Sequence, residues 1–425
     1  MNLLIHNGRL IDPQQGLDQT TSLFIRDGKI AALGQACPDS SDTDISTLEA
    51  KGLCVIPGIV DLSVRLTEPG YDQKGTIASE TTAAAAGGIT RLCCIPNTQP
   101  IIDTPSVATL IQDLATEANR CRVHPIAALT QQLNGKMLSE MHALKNAGCI
   151  AVSNLYYPLN DTRVLLRCLE YAATLDMPVI FTPEDSALAA NGCAHQGLVA
   201  TRMGLPAIPA TAETVALSSA LLLVEQTGVQ AHFSQLSCAK SVELIEQAQS
   251  QGLNVTADTS IYHLLETEDA ITDFNSLFHI HPPLRTLADR EALREGLKEG
   301  ILAAICSSHQ PHETAAKMAP FEATEAGISG IQLLLPLALR LQEEAGIELI
   351  DLIQRLTLGP AQCLGLPAGT LAVGEPADLC LFDPAISWQP QSEWYSKGLN
   401  SPYLYQQLKG KVRLTLIEGQ TTYSH

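Results

Sequence analysis

Short apolar runs rich in β-branched residues recur through the middle of the chain, each followed by a longer stretch whose apolar positions repeat at helical spacing. Eight runs predict strands: CVIPGIVDLSV (54–64), ITRLCCI (89–95), RVHPIAAL (122–129), CIAVS (149–153), PVIFT (178–182), VQAHFSQ (229–235), LNVTAD (253–258) and ILAAICSS (301–308). Helices are predicted between them. Residues 75–87 are rich in Ala and stop at Gly87-Gly88, and Asp103-Thr104-Pro105 is a capped helix start. Segments 136–147, 160–176, 211–226, 239–251, 288–299 and 326–343 complete the alternation. Eight strands alternating with helices predict an α/β fold, a (β/α)8 TIM-type barrel over residues 54–368.

The two ends read differently. Residues 1–53 and 369–425 hold short strands, with Asn7-Gly8 and Asp27-Gly28 as hairpin signals in the first and 370-TLAVGEPADLCLFDP-384 and 409-KGKVRLTLIEG-419 in the second. They are predicted to pair into one small β domain beside the barrel.

Composition narrows the setting. A chain of 425 residues with 45% hydrophobic and 17% charged side chains reads as folded throughout. A net charge of -19 without a basic patch argues against a nucleic-acid or anionic-membrane surface. The twelve cysteines form no CxxC pairs, and Cys93-Cys94 lies inside an apolar run, as reduced core thiols do. MNLLIHNGRLID has no signal-peptide pattern, and the apolar run 331-IQLLLPLALRL-341 is interrupted by Gln332, Pro336 and Arg340. A soluble, cytoplasmic protein is expected.

In such a barrel, functional groups sit at the C-terminal ends of strands. Those positions carry Ser63 and Arg65 on the first strand, Asn154 after the fourth, Thr182 on the fifth, Gln235 on the sixth and Ser308 on the eighth. None is a good zinc ligand.

The runs PGIVDLSVRLTEPG, ETTAAAAGGITRLCCIPNTQP, HPPLRTLADREALREGL, SSHQPH, PAQCLG and GEPADLCLFDP span nearly the whole chain. Together they resemble a dihydroorotase of the bacterial class I type, in the amidohydrolase superfamily. The resemblance implies metal-dependent ring closure of carbamoyl aspartate to dihydroorotate. In the family, zinc is held by a His-x-His on strand 1, an Asp after strand 4 and one His each on strands 5 and 6, with a general acid/base Asp on strand 8. Aligned residue by residue, those roles fall on Ser63, Arg65, Asn154, Thr182, Gln235 and Ser308. Arg65 would in addition repel a dication by roughly 8 kcal/mol at about 4 Å and an effective dielectric near 20. No metal, no cofactor and no catalytic residue are therefore expected, with Ser308 at the degenerate acid/base position.

Substrate recognition changes as well: Thr67 stands where the family has a carboxylate-gripping Arg, and His281 where it has an Asn. Asn97 and His312 remain as vestigial substrate-binding positions. Each has a plainer reading, Asn97 as a turn residue and His309 and His312 as satisfied buried histidines. Glu68 and Asp61 are expected as partners of Arg65, because a buried guanidinium requires a carboxylate or carbonyls nearby. A relocated metal site built from His279, His281, His309 and His312 is a further alternative.

This sequence also resembles the noncatalytic dihydroorotase-like subunits that assemble with aspartate carbamoyltransferase. That implies a protein that is not an enzyme but a structural or assembly subunit of pyrimidine biosynthesis, in a homo- or hetero-oligomer. Two alternatives stay open. One is an active cyclic amide hydrolase working without metal, with Ser63, Thr182, Ser307 or Ser308 as hydroxyl and His309 as base. The other is a metabolite-sensing protein that binds an anion beside Arg65.

Overall fold

A computed structural model describes residues 2–38 and 44–425. The predicted alternation folds into an eight-stranded parallel sheet whose strands follow chain order: Ile59–Val64, Ile89–Cys94, Arg122–Ala128, Ala151–Ser153, Val179–Phe181, Ala231–Phe233, Val255–Ser260 and Ala304–Cys306. We number these barrel strands one to eight. The first and last meet through a parallel bridge between Val64 and His309, supported by Arg65 N to His309 O at 2.9 Å and His309 N to Ser63 O at 3.2 Å. The sheet thus closes into a barrel at the end where the loops carry the candidate site.

Helices Ile77–Ala86, Pro105–Ala118, Met141–Asn146, Thr162–Thr174, Ala210–Thr227, Ala239–Ser250, Leu287–Glu299 and Leu334–Ala345 surround it. Two starts carry complete capping boxes, Thr76 with Ser79 and Thr286 with Asp289, so orphan amides of the first turn are satisfied locally. One core lies between strands and helices and includes Leu92, Val152, Leu217 and Leu334. A second fills the barrel with Val60, Leu62, Ile126 and Ile180 and is plugged from below by Ala361 and Cys363. All twelve cysteines are free, and only Cys37 is not buried.

The chain ends form one further sheet. Its order runs Gln420–Ser424, Leu408–Ile417, Leu379–Trp388, Cys54–Pro57, Asn2–Asp12, Leu17–Arg26 and Lys29–Leu33, with Ser46–Glu49 also paired to Asn2–Asp12. Arg91 and Arg122 on barrel strands two and three both reach Asp378, which fastens this sheet to the barrel.

Four local readings of the sequence differ from the structure, the first being the helix expected over 136–147, which is the shorter Met141–Asn146. The segment 54–64 is two strands: Cys54–Pro57 pairs in the end sheet and Ile59–Val64 in the barrel. At the crossing, a Cβ on Gly58 would lie 2.1 Å from Thr90 Oγ1, so only glycine passes between the sheets. Asn7-Gly8 is no hairpin; it sits inside the strand Asn2–Asp12 as a bulge, with Asn7 at φ 60° and the register shifting between Ile5 and Gly8. The last barrel helix begins at Leu334, after a 3-10 turn at Ile331–Leu333, and not at 326. Among the described residues, no helix is long and apolar enough to cross a membrane.

Candidate functional site

Two buried carboxylates set the floor beneath the strand ends. Asp61 on strand one accepts from Ser307 N at 3.1 Å and Ser63 N at 3.4 Å, tying strand one to strand eight. Burial raises its pKa to about 6, against the lowering effect of those bonds from Ser307 and Ser63. Asp258 on strand seven accepts from His232 Nε2 at 2.8 Å, Ser234 Oγ at 3.0 Å and Gln235 N at 2.7 Å, tying strand seven to strand six.

That last bond holds Gln235 in the left-handed region, at φ 61°, and Ser308 and Thr67 adopt φ 44° and 67°. Non-glycine residues there are strained, and three at one barrel mouth mark a backbone shaped by its surroundings.

The strained turns bring three of the predicted residues together. Gln235 Nε2 donates to Ser63 Oγ at 2.8 Å, and Gln235 Oε1 accepts from Ser308 Oγ at 2.8 Å and Tyr156 OH at 3.1 Å. Gln310 Nε2 donates to the same tyrosine oxygen at 3.0 Å. All three predicted residues are at least 91% buried, as Ser308, the most accessible, is 9% exposed. Asn154 is not part of this network: its amide accepts from Thr130 Oγ1 at 2.9 Å and donates to Tyr157 O at 2.9 Å, which makes it the organiser of the loop after strand four.

Thr182 Oγ1 and Asn97 Oδ1 are buried without hydrogen-bond partners. Asn97 therefore is not the self-satisfied turn residue its sequence setting suggests. Arg65 departs from expectation too. Glu68 accepts from Ile77 N at 2.6 Å at the start of a helix, and Asp61 bonds to backbone amides, so neither pairs with the guanidinium. Arg65 instead lies over the ring of Tyr71, 5.5 Å from its centroid.

The histidines are committed elsewhere. His309 Nδ1 accepts from Gly330 N at 3.1 Å, which leaves Nε2 as the donor to Glu80 Oε2 at 2.9 Å. Both side chains are fully buried, so His309 anchors the loop after strand eight and Ser308 hydrogen-bonds to Gln235. His312 Nε2 donates to Ala326 O at 2.9 Å, and its Nδ1 accepts from Lys74 Nζ at 3.1 Å. Burial holds it neutral, with its pKa pushed down to about 4. His279 bonds Thr324 Oγ1 at 2.7 Å, and His281 bonds Glu184 at 2.8 Å from a loop, not a strand face.

Zinc does not fit these residues. The six strand-end positions offer hydroxyl, amide and guanidinium groups, where the ion needs imidazole, thiolate or carboxylate. Among the described residues, no group of three or more His, Cys, Asp and Glu could hold a metal ion, which also removes the relocated histidine site.

A sequence model of the family described as Dihydro-orotase-like matches residues 52–241. A dihydroorotase-like protein of Pseudomonas aeruginosa is 54% identical, and a dihydroorotase of Syntrophotalea carbinolica is 40% identical over 100% of this chain and 99% of its own. For the former, 100% of both chains is covered.

The chain belongs to the dihydroorotase-like family. The solved L-hydantoinase of Arthrobacter aurescens shares the fold at 23% identity, with a TM-score of 0.89 over 100% of this chain and 96% of that one. These findings correct the expectation that this dihydroorotase-like chain is not an enzyme: full-length relatives are named dihydroorotase and the fold neighbours hydantoinase, both enzymes.

Several residues of the mouth escaped the sequence reading. Tyr156, Gln310, Glu80 and Asp258 carry its hydrogen bonds, yet each partner lies between 23 and 229 residues away along the chain. A polar residue inside the apolar runs 54–64 and 253–258 is the one signal that could have pointed to Asp61 and Asp258.

Proposed function

We propose that this dihydroorotase-like protein acts in pyrimidine biosynthesis as a subunit that assembles with aspartate carbamoyltransferase. The observation that supports this reading is the mouth of the barrel. Gln235 spends both ends of its amide on Ser63, Ser308 and Tyr156, so the strand ends are braced against one another while the family fold is kept at full length. A frame rigid at its loop-bearing end can present those loops to a partner.

Joint expression with the transcarbamoylase followed by gel filtration tests it. Co-elution in a fixed ratio is the expected result, and two separate peaks at micromolar concentration would exclude a stable assembly.

A second reading, cyclic amide hydrolysis, is favoured by the relatives named dihydroorotase at 40% identity. Its test is turnover of dihydroorotate by the purified chain, alone and with its partner, with and without a chelator. The dyad proposed for a metal-free route is not assembled, because Ser308 donates to Gln235 and His309 to Glu80. Hydrolysis that survives the chelator and disappears in Ser308→Ala would restore that route.

A further inference from the structure

Protein interiors are close-packed, so a gap bordered by a helix marks positions where the sequence withholds bulk. On the helix Ala210–Thr227, Ala216, Ser219 and Ala220 recur at helical spacing along one face, and that face borders a cavity of about 220 Å³. Leu165 of the helix Thr162–Thr174, Ile180 of strand five and Leu159 of the loop after strand four form further walls. Tyr157 and Val215 line it while 50% and 47% exposed, so the cavity opens to solvent.

Small residues alone make a gap and not a site. The second observation is Thr182, which borders the same cavity: it is 7% exposed, and its Oγ1 is buried without a hydrogen-bond partner among the described residues. A hydroxyl can both donate and accept, and holding one away from water without a partner costs free energy that a ligand atom can recover. The cavity is separate from the braced mouth, since none of Ser63, Arg65, Gln235 and Ser308 borders it.

Charge and size select the ligand. No Lys, Arg or His borders the cavity, while Glu184 and Asp185 do. Both carboxylates are committed, Glu184 to His281 at 2.8 Å and Asp185 to the amides of Ala187 and Leu188 at 3.0 and 2.9 Å. An anion would meet two carboxylates with no cation in the walls to offset them, and a cation would have to draw them from the partners they already hold. An uncharged guest remains. An apolar cavity of about 150 Å³ holds benzene, so the larger volume here takes a single ring with a substituent.

We propose that this cavity binds an uncharged monocyclic molecule with one hydroxyl group, phenol-like in size and polarity, with its ring between the two helices and its hydroxyl on Thr182 Oγ1. The site is independent of the assembly role, and a failed co-elution would leave it untouched.

Calorimetric titration of the full-length chain with phenol, toluene and benzoate, at constant pH and ionic strength, tests it. Phenol and toluene are expected to bind saturably, and benzoate to give no heat that a cavity-filling variant removes. Thr182→Val keeps the shape and loses the hydroxyl, so it should weaken phenol by about fivefold and leave toluene within about twofold. Ala216→Leu, which fills the gap with a good helix former, should abolish binding of both while the unfolding midpoint stays equal or rises.

No saturable heat with phenol, phenol binding that survives Ala216→Leu, or equal losses of phenol and toluene in Thr182→Val would each overturn the proposal. So would benzoate binding that Ala216→Leu removes. Unfolding midpoints of the unliganded variants separate a lost site from a lost fold. If Ala216→Leu does not fold, Ser219→Leu fills the same gap from the next helical turn and decides in its place.

Discussion

Gln235→Leu probes how far the barrel mouth contributes to stability. Gln235 is 1% exposed and makes three side-chain hydrogen bonds, to Ser63, Ser308 and Tyr156, while leucine has similar bulk and can make none. At about 1 kcal/mol net per buried bond, the loss is about 3 kcal/mol, reduced somewhat by the gain from burying a leucine. Ser63→Ala removes one of the same bonds and leaves Gln235 Nε2 unpaired, at a cost of about 1–2 kcal/mol.

Because the two variants share that bond, the double variant should be less destabilised than their sum by about 1 kcal/mol. Urea unfolding followed by far-UV circular dichroism, with the slope compared across the four proteins, measures the cycle. Strict additivity within about 0.3 kcal/mol at equal slopes would show that Gln235 and Ser63 act independently, and the account of a braced mouth would fail.

Other positions give sharper single readings. Burial first, then the neighbouring Lys317 ammonium, pushes His279 from 6.5 down to about 4, so the unfolded chain binds the proton the folded chain refuses. Its contribution is therefore whole above pH 6.5 and is lost as pH falls towards 4, by about 3 kcal/mol; denaturant midpoints measured across that window should decline less steeply in His279→Gln. Asp258→Asn places an N–H2 group among the donors of His232, Ser234 and Gln235, and should cost about 3 kcal/mol by the same measurement. Gly410→Ala forces a Cβ to 2.2 Å from Leu339 Cδ1 at φ 84°, and a loss of about 2 kcal/mol or more is expected; an unchanged midpoint would contradict the packing of the end sheet on the last barrel helix.

The elements that read correctly from the sequence are those whose cause is local. Strand two, the helix after Pro105 and the helix before Gly300 are specified by runs, caps and stops within a dozen residues. The errors lie where a distant segment intervenes. The apolar run 54–64 carries no mark of which part belongs to which sheet, because its partners, Arg9–Leu10 and Leu379–Phe382 for one part and Ile89–Cys94 for the other, all lie in other segments of the chain. Asn7-Gly8 has the residues of a tight turn, but pairing with Leu17–Arg26 on one side and with Ser46–Glu49 on the other absorbs them as a bulge.

The same asymmetry governs the site. Sequence position identified Ser63, Gln235 and Ser308 as strand-end residues without zinc chemistry, but not that they would bond to each other, since that depends on the barrel closing strand one against strand eight. It likewise assigned Glu68 and Asp61 to Arg65 by proximity in the chain, and both carboxylates instead serve backbone amides nearer their own oxygens. A carboxylate beside a helix start or a strand end has N–H donors already placed by the fold. A flexible arginine must lose side-chain freedom to compete for it, so the fixed amides win and the guanidinium is left to Tyr71.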